Sequence, residues 1–249
     1  MRSIFSLSVT AAALALLTLT TPVHAAKTDN RIEAAAEESH VFKTYLQGDD
    51  IKVKSKDGAV TLSGVVLDDS HKALAQETVA GLPGVKSVDN RLKVKTGAST
   101  KTKDAWLTTK VKSTLLFHKS VSAATVVDTK DGVVTLKGVA DTLAQKDLTT
   151  EHVKDVEGVT GVRNEMTVSG KPAKKTVGKK IDDASITAQV KMTLLYHRST
   201  SALHTKVDTD KGVVTLNGKA KTGAERELAT KYALDVNGVR EVKNLMSIE

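Results

Sequence analysis

The chain has 249 residues and a formal net charge of +8, with 40% hydrophobic and 3% aromatic residues. This apolar fraction is enough for packed cores and excludes a wholly disordered chain. The absence of cysteine excludes disulfides, thiolate metal sites, a cysteine nucleophile and a lipid attached through sulfur.

Residues 1–25 have the layout of a secretory signal peptide. Arg2 supplies a positive charge, an almost wholly apolar stretch runs from Ile4 to Leu19, and Ala25 is the small residue before the expected cleavage site. An uncleaved membrane anchor is the alternative, but the apolar stretch is short for a span and contains several threonines. With no second apolar run and no cysteine for a lipoprotein signal, we expect a soluble protein exported to the periplasm of a Gram-negative cell.

The rest of the chain consists of three copies of one sequence unit. KDGAVTLSG at 56–64 recurs as KDGVVTLKG at 130–138 and DKGVVTLNG at 210–218, and a second block with the pattern GVxxVxN follows each copy at the same distance. The predicted domains occupy residues 28–97, 102–170 and 182–249, and residues 171–181 form a lysine-rich linker.

Each unit begins with a predicted helix. Its apolar positions recur every three or four residues. They are Leu107, Val111 and Leu115 in the second unit and Ile186, Val190 and Leu194 in the third. The first unit diverges, with a shifted stripe at Ile32, Ala35, Ser39, Phe42 and Leu46. Asp104 and Asp183 stand where an N-cap belongs.

A hairpin, a second helix and a last strand follow in each unit. Asp57-Gly58, Asp131-Gly132 and Lys211-Gly212 are turn dipeptides between alternating β-formers. We therefore predict an α+β fold class: three tandem small αββαβ domains, each a three-stranded sheet with two helices on one face. Alternation in the last strand predicts inward side chains at Val168 and Ile248.

The recurring glycines and asparagines are interpreted as structural, with glycines at turns, strand ends and helix caps and asparagines at the entry to the last strand. A ligand role for the asparagines is the alternative. These positions are Gly58, Gly64, Gly84, Asn90, Gly132, Gly138, Gly158, Asn164, Gly212, Gly218, Gly238 and Asn244.

The pattern of a helix, VxxxxGxVxLxG, a second helix and GVxxVxNx(L/M)x(V/I) resembles the BON domain, and the resemblance covers essentially all of residues 28–249. A signal peptide followed only by such domains is similar to osmotically inducible members of that family. The resemblance implies an αββαβ fold, an envelope location, and binding of phospholipid or support of envelope proteins under stress.

Motifs that would indicate catalysis or a bound ion are missing from the sequence. There is no P-loop, G-x-G-x-x-G, G-x-S-x-G or H-E-x-x-H stretch. Only His118 and His197 recur between units, in His-Lys and His-Arg pairs that we interpret as complementing the C-terminus of their own helix. The sequence therefore predicts a protein that is not an enzyme, with no cofactor and no metal site.

Two aromatic residues on the first helix of the second unit are candidates for contact with lipid. Trp106 lies off the core stripe, and Phe117 is 11 residues on, so both share one flank of the helix. Such a flank either meets lipid or a partner, or is buried in a wide stripe or against a neighbouring repeat.

The excess positive charge lies almost entirely in one segment. Residues 26–97, 98–170 and 182–249 carry net charges of 0, +1 and +1. Residues 171–181 carry +5 from Lys171, Lys174, Lys175, Lys179 and Lys180. Nucleic-acid binding is not predicted, because it would require a basic folded face with stacking aromatics. A lysine cluster attracts anionic phospholipid, and the alternative is a solvated spacer.

Two functional hypotheses follow. The first is a peripheral protein of anionic phospholipid membrane surfaces that protects the envelope under osmotic stress. The second is a chaperone-like or scaffolding protein that binds exported client proteins through sheet edges or domain clefts.

Overall fold

The computed structural model describes residues 22–95, 103–121, 125–170, 180–200 and 205–249, with side chains from residue 26 onward. The signal peptide predicted at 1–25 lies almost wholly outside these residues, and its expected cleavage point falls within the first helix. The first repeat consists of α1 Pro22–Glu38, α2 His40–Thr44, β1 Asp50–Lys56, β2 Ala59–Val66, α3 Asp69–Ala80, β3 Ser87–Asn90 and β4 Lys93–Val94.

The other two repeats follow the same order, except that a single helix precedes the hairpin where the first repeat has α1 and α2. The second consists of α4 Lys103–Phe117, β5 Val126–Lys130, β6 Val133–Lys137, β7 Val139–Ala140, α5 Leu143–Asp155, β8 Gly161–Asn164 and β9 Thr167–Val168. The third consists of α6 Asp183–Tyr196, β10 Thr205–Asp210, β11 Val213–Ala220, α7 Gly223–Asp235, β12 Glu241–Asn244 and β13 Ser247–Ile248.

Each repeat is built on an antiparallel hairpin joined by a parallel last strand. In the first repeat β1 pairs with β2, and β3 and β4 are two successive parts of the last strand that both run parallel to β2. The third repeat has the same arrangement, and in the second the central strand is divided into β6 and β7. The predicted fold class is confirmed.

Each hairpin turn is held by an aspartate from a helix that precedes it in the same repeat. Asp183 accepts the backbone N–H groups of Lys211 at 2.7 Å and Gly212 at 2.8 Å. The N-cap of α6 is Asp182, which accepts from the Ser185 amide, so the prediction that Asp183 caps the helix is wrong. The carboxylate thus accepts hydrogen bonds from two turn amides that have no partner within the hairpin.

The same clamp recurs in the other repeats. Asp104 accepts from Asp131 and Gly132 at 2.7 and 2.9 Å. Asp29 accepts from Asp57 and Gly58 at 2.8 and 3.0 Å.

The recurring asparagines tie the second helix to the last strand. The Asn164 amide donates to Lys146 O at 3.0 Å and to Thr150 Oγ1 at 2.7 Å, and its oxygen accepts from the Met166 amide at 3.0 Å. Asn90 and Asn244 make the corresponding bonds in their own repeats.

The far end of the last strand lies outside the core. Met166 and Met246, in the break between its two parts, are buried, but Val168 and Ile248 are 43% and 53% exposed. Val168 and Ile248 pair with the buried Ala140 and Ala220, so they lie on the predicted face of the sheet. The expectation that they enter the core is wrong, because they stand at the exposed end of the last strand. Among the helices that the structure describes, none has both the length and the apolar character needed to cross a membrane.

The three repeats pack around α6. Eleven of its 14 residues are buried, since α6 contacts β10 of its own repeat and also α3 and α4 of the other two. Ala184, Ala188, Met192 and Tyr196 belong to the hydrophobic core of the first repeat. The Tyr196 hydroxyl lies 2.7 Å from Ser70 Oγ in a buried hydrogen bond that joins the first repeat to the third.

Candidate functional site

The second and third repeats contact each other through a pseudo-twofold interface. Lys119 N donates to Asp235 O and Arg198 N donates to Asp155 O, both at 2.9 Å. Asn237 N likewise donates to Phe117 O at 2.8 Å, and its counterpart Glu157 N donates to Tyr196 O at 2.9 Å. Each bond is therefore made twice, once in each direction, as in an isologous dimer interface.

The basic residues after the first helices act across this interface. The Arg198 guanidinium donates to Lys154 O at 2.6 Å and Val159 O at 2.8 Å, at the end of α5. Lys119 Nζ donates to Val239 O at 3.1 Å in the third repeat. The expectation that these residues serve their own helix is corrected: they bind carbonyl groups of the opposite repeat.

Three histidines meet at the centre of the interface. His118 and His152 come from the second repeat and His197 from the third, with ring centroids 4.2, 5.6 and 5.8 Å apart. His118 and His197 are 3% and 1% exposed, and the side chain of His152 is 10% exposed. Tyr232 stacks on His197 with centroids 4.0 Å apart.

Two aspartates orient these rings. Asp235 Oδ2 lies 2.9 Å from His118 Nδ1, and the symmetry-related Asp155 Oδ2 lies 3.2 Å from His197 Nδ1. Asp235 also accepts from Ser120, and Asp155 accepts from Tyr232 at 2.7 Å.

Burial favours the neutral form of His152 and His197, and hydrogen bonds favour the ionised form of the neighbouring carboxylates. Burial, with the nearby charges of His118 and His197, lowers the pKa of His152 to about 3, and burial also lowers the pKa of His197. Burial alone would raise the pKa of Asp155 and Asp235, but the hydrogen bonds that they accept outweigh it and hold both below their usual range.

Sequence reasoning missed this cluster because its members are far apart in the chain. They stand at positions 118, 152 and 197, and only two of them recur between repeats. The sequence contained one signal, the equivalent His-Lys and His-Arg pairs of the second and third repeats. These pairs indicate a contact only if the two repeats are known to face each other.

An open cleft of about 460 Å³ borders the cluster. His152, Asp155, Arg198 and Tyr232 are among its lining residues. Solvent therefore reaches the edge of the histidine cluster between the two repeats.

The predicted lipid-contact residues do not share one surface. Phe117 is 1% exposed and packs edge-on against Tyr45 of the first repeat, with ring centroids 5.3 Å apart. Phe117 therefore follows the alternative of burial against a neighbouring repeat and is not exposed to lipid, because the first repeat covers that end of α4.

Trp106 contacts a neighbouring repeat, which is one of the alternatives that the sequence left open. It is half-buried, lies edge-on to Tyr196 with centroids 6.4 Å apart, and has Lys110 Nζ at 5.9 Å from its ring centroid. Of the linker lysines, Lys180 is exposed. The others, Lys171, Lys174, Lys175 and Lys179, lie outside the described residues.

Comparison with known proteins bears on this architecture. The BON-domain profile matches residues 28–96, 103–170 and 182–249. The osmotically-inducible protein Y of Escherichia coli (strain K12) is 35% identical over 143 residues, which cover 57% of this chain and 70% of that protein. The outer membrane lipoprotein DolP of Haemophilus influenzae is 34% identical over 112 residues, which cover 45% of this chain and 56% of that protein.

Solved structures also match this chain, at low sequence identity. CdsD, a structural protein of the type III secretion system of Chlamydia trachomatis, covers 92% of both chains at 15% identity and a TM-score of 0.24. At that TM-score the likeness carries no argument about fold or function.

Proposed function

Because the chain belongs to the BON-domain family and shares 35% identity with an osmotically inducible protein, we propose that it is a non-enzymatic exported protein that binds anionic phospholipid surfaces and protects the envelope under osmotic stress. The relative named as an outer membrane lipoprotein supports the envelope location. Periplasmic export is part of the proposal.

The observation that carries the proposal is the concentration of positive charge between the second and third repeats. Residues 171–181 contain five lysines and no acidic residue, while the repeats are nearly neutral. Val168, three residues before the segment, is 43% exposed. Lys180, near the end of the segment, is also exposed. An exposed apolar side chain next to a lysine cluster suits a peripheral contact with a charged bilayer.

The expected attraction is weak and depends on salt. A lysine near an anionic surface contributes about 1 kcal/mol, so five contribute about 5 kcal/mol at most. That corresponds to a dissociation constant of about 0.2 mM. Binding of this kind is reversible and is screened at high ionic strength.

Vesicle co-sedimentation tests the proposal. We expect the mature chain to sediment with vesicles containing about 30% anionic phosphatidylglycerol, and not with neutral phosphatidylcholine vesicles. Binding should be present at about 20 mM salt and largely lost at about 500 mM. No binding to the anionic vesicles at low salt would overturn the proposal.

A matched pair of variants separates the linker from the domains. Replacing the five linker lysines by serine should abolish sedimentation. A control variant replaces five exposed lysines of the repeats by serine, namely Lys43, Lys52, Lys56, Lys112 and Lys243. Both variants lose the same formal charge, so equal loss of binding would contradict a role for the linker. Suppressed aggregation of an unfolded client without vesicles would favour the chaperone-like alternative instead.

A further inference from the structure

We propose that His118, His152 and His197 form a binding site for a divalent transition-metal ion, with Zn²⁺ as the first candidate, and that the ion joins the second repeat to the third. Each histidine offers one ring nitrogen, and these nitrogens all lie within 4.8 Å of one another. The proposal goes beyond the membrane function and does not depend on it.

The ligand atoms are free for this role. Among the residues that the structure describes, His118 Nε2, His152 Nδ1 and His197 Nε2 are buried nitrogens with no hydrogen-bond partner. His197 Nδ1 is also without a hydrogen-bond partner among the described residues. Buried unpaired polar atoms are unfavourable, and one ring nitrogen of each histidine lies within 4.8 Å of the others. One ion with open coordination positions would satisfy all three.

The distances require only a small closure. Tetrahedral coordination at a Zn–N distance of about 2.1 Å places nitrogens about 3.4 Å apart. The nitrogens therefore approach one another by about 1.4 Å at most, relative to the 4.8 Å limit. Ring rotation about the last side-chain torsion covers such a distance, because that torsion is broad for histidine.

The surrounding groups are those that metal-bound histidines use. Asp235 faces His118 Nδ1 at 2.9 Å, and Asp155 faces His197 Nδ1 at 3.2 Å. A carboxylate on one ring nitrogen fixes the proton there and leaves the lone pair on the other nitrogen for a metal. His152 Nε2 lies 3.5 Å from the same Asp235 carboxylate.

The charge at the site also suits a dication. Two carboxylates, Asp155 and Asp235, lie next to the imidazole rings. Their two negative charges balance one divalent ion, which would otherwise be costly to bury. Imidazole ligands favour zinc, copper and nickel over magnesium or calcium.

The cleft beside the cluster provides a route for the ion. It has a volume of about 460 Å³ and is lined in part by His152, Asp155 and Tyr232. A water molecule from this side would complete fourfold coordination of zinc by three protein ligands.

The test is titration of the full-length mature chain with Zn²⁺ after treatment with a chelator. Calorimetry should show one ion per chain, and Co²⁺ should give the visible absorption of a tetrahedral site. His152→Gln, at the solvent edge of the cluster, should weaken Zn²⁺ binding by more than about 100-fold. Asp155→Asn keeps all three ligands and should weaken binding by about 10- to 100-fold.

The control variant is His71→Gln. His71 Nδ1 also faces a carboxylate, Asp49 Oδ2 at 2.6 Å, but it lies in the first repeat outside the cluster. This variant should bind one Zn²⁺, as the unsubstituted chain does. Zn²⁺ should raise the thermal unfolding midpoint of the variant by as much as it raises that of the unsubstituted chain.

Two results would overturn the proposal. One is the absence of stoichiometric Zn²⁺ binding by the unsubstituted chain, a result that does not depend on any variant folding. The other is a folded His152→Gln, verified by circular dichroism, that binds Zn²⁺ as tightly as His71→Gln.

Discussion

Lys119 and Arg198 occupy equivalent positions in two repeats, and each donates its backbone N–H to the repeat opposite at 2.9 Å. The second and third repeats thus form a pseudo-symmetric pair within one chain. An interface made twice by the same residues couples the two repeats, so we expect them to unfold together.

Replacing Arg198 by methionine tests this coupling. The side chain donates to Lys154 O, Val156 O and Val159 O, and its loss leaves the carbonyl groups at the end of α5 without their cation. We expect the free energy of unfolding to fall by about 1–2 kcal/mol in urea denaturation. Lys206→Met, at a strand position with a 75% exposed side chain, is the control and should change it by less than about 0.5 kcal/mol.

Replacement by alanine should affect stability more at the buried Phe117 than at its partly exposed neighbour Leu116. Phe117→Ala should destabilise the protein by about 3–4 kcal/mol, because the ring belongs to the core of the first repeat and leaves a cavity there. Leu116→Ala, at a side chain that is 39% exposed, should cost about 1 kcal/mol or less. Vesicle binding should be the same for both folded variants, and a selective loss in Phe117→Ala would show that the ring reaches lipid.

Gly64 stands where the hairpin admits no side chain. Its φ is +120°, and a Cβ there would lie 1.9 Å from Asp50 O, so Gly64→Ala should cost more than about 2 kcal/mol. Gly48→Ala is the matched change, since a Cβ at Gly48 meets nothing within 4 Å. It should leave the thermal midpoint unchanged or slightly raised, and equal effects of the two changes would contradict this account.

The Asp29 clamp predicts a specific dependence on pH. The Ser55 hydroxyl and the Gly58 amide donate to this carboxylate and lower its pKa below the usual 3.8. A lowered pKa in the folded state means that the contribution to stability is complete above the unfolded value and is lost as the pH falls through the folded one.

Thermal unfolding of Asp29→Asn checks that dependence. The difference in midpoint between the unsubstituted chain and the variant should be constant above about pH 5 and should shrink toward about pH 2. Asp128→Asn, at an exposed strand position, is the control and should show no such trend. A difference that stays constant down to the lowest pH would contradict a depressed pKa.

Local spacing was enough to predict the repeat fold. The turn dipeptides specify hairpins because the backbone geometry of a turn depends only on neighbouring residues. Asp57 and Asp131 adopt the required positive φ, with values of 54° and 53°. The function of Asp183 was misassigned, since its partner Gly212 lies across the domain and sequence position alone favours the nearby cap. Val168 lies on the same face as the buried Ala140, with which it pairs, but it is 43% exposed, because burial also depends on what covers that end of the strand.

The sequence by itself determined three copies of one αββαβ unit and the place of the excess charge, because periodicity and composition are properties of a continuous segment. Only the tertiary structure decided that Phe117 is buried and that His118, His152 and His197 meet. Those outcomes depend on how neutral, similar domains dock. Docking follows the shape and hydrogen bonding of whole surfaces, which residues from distant parts of the chain build jointly.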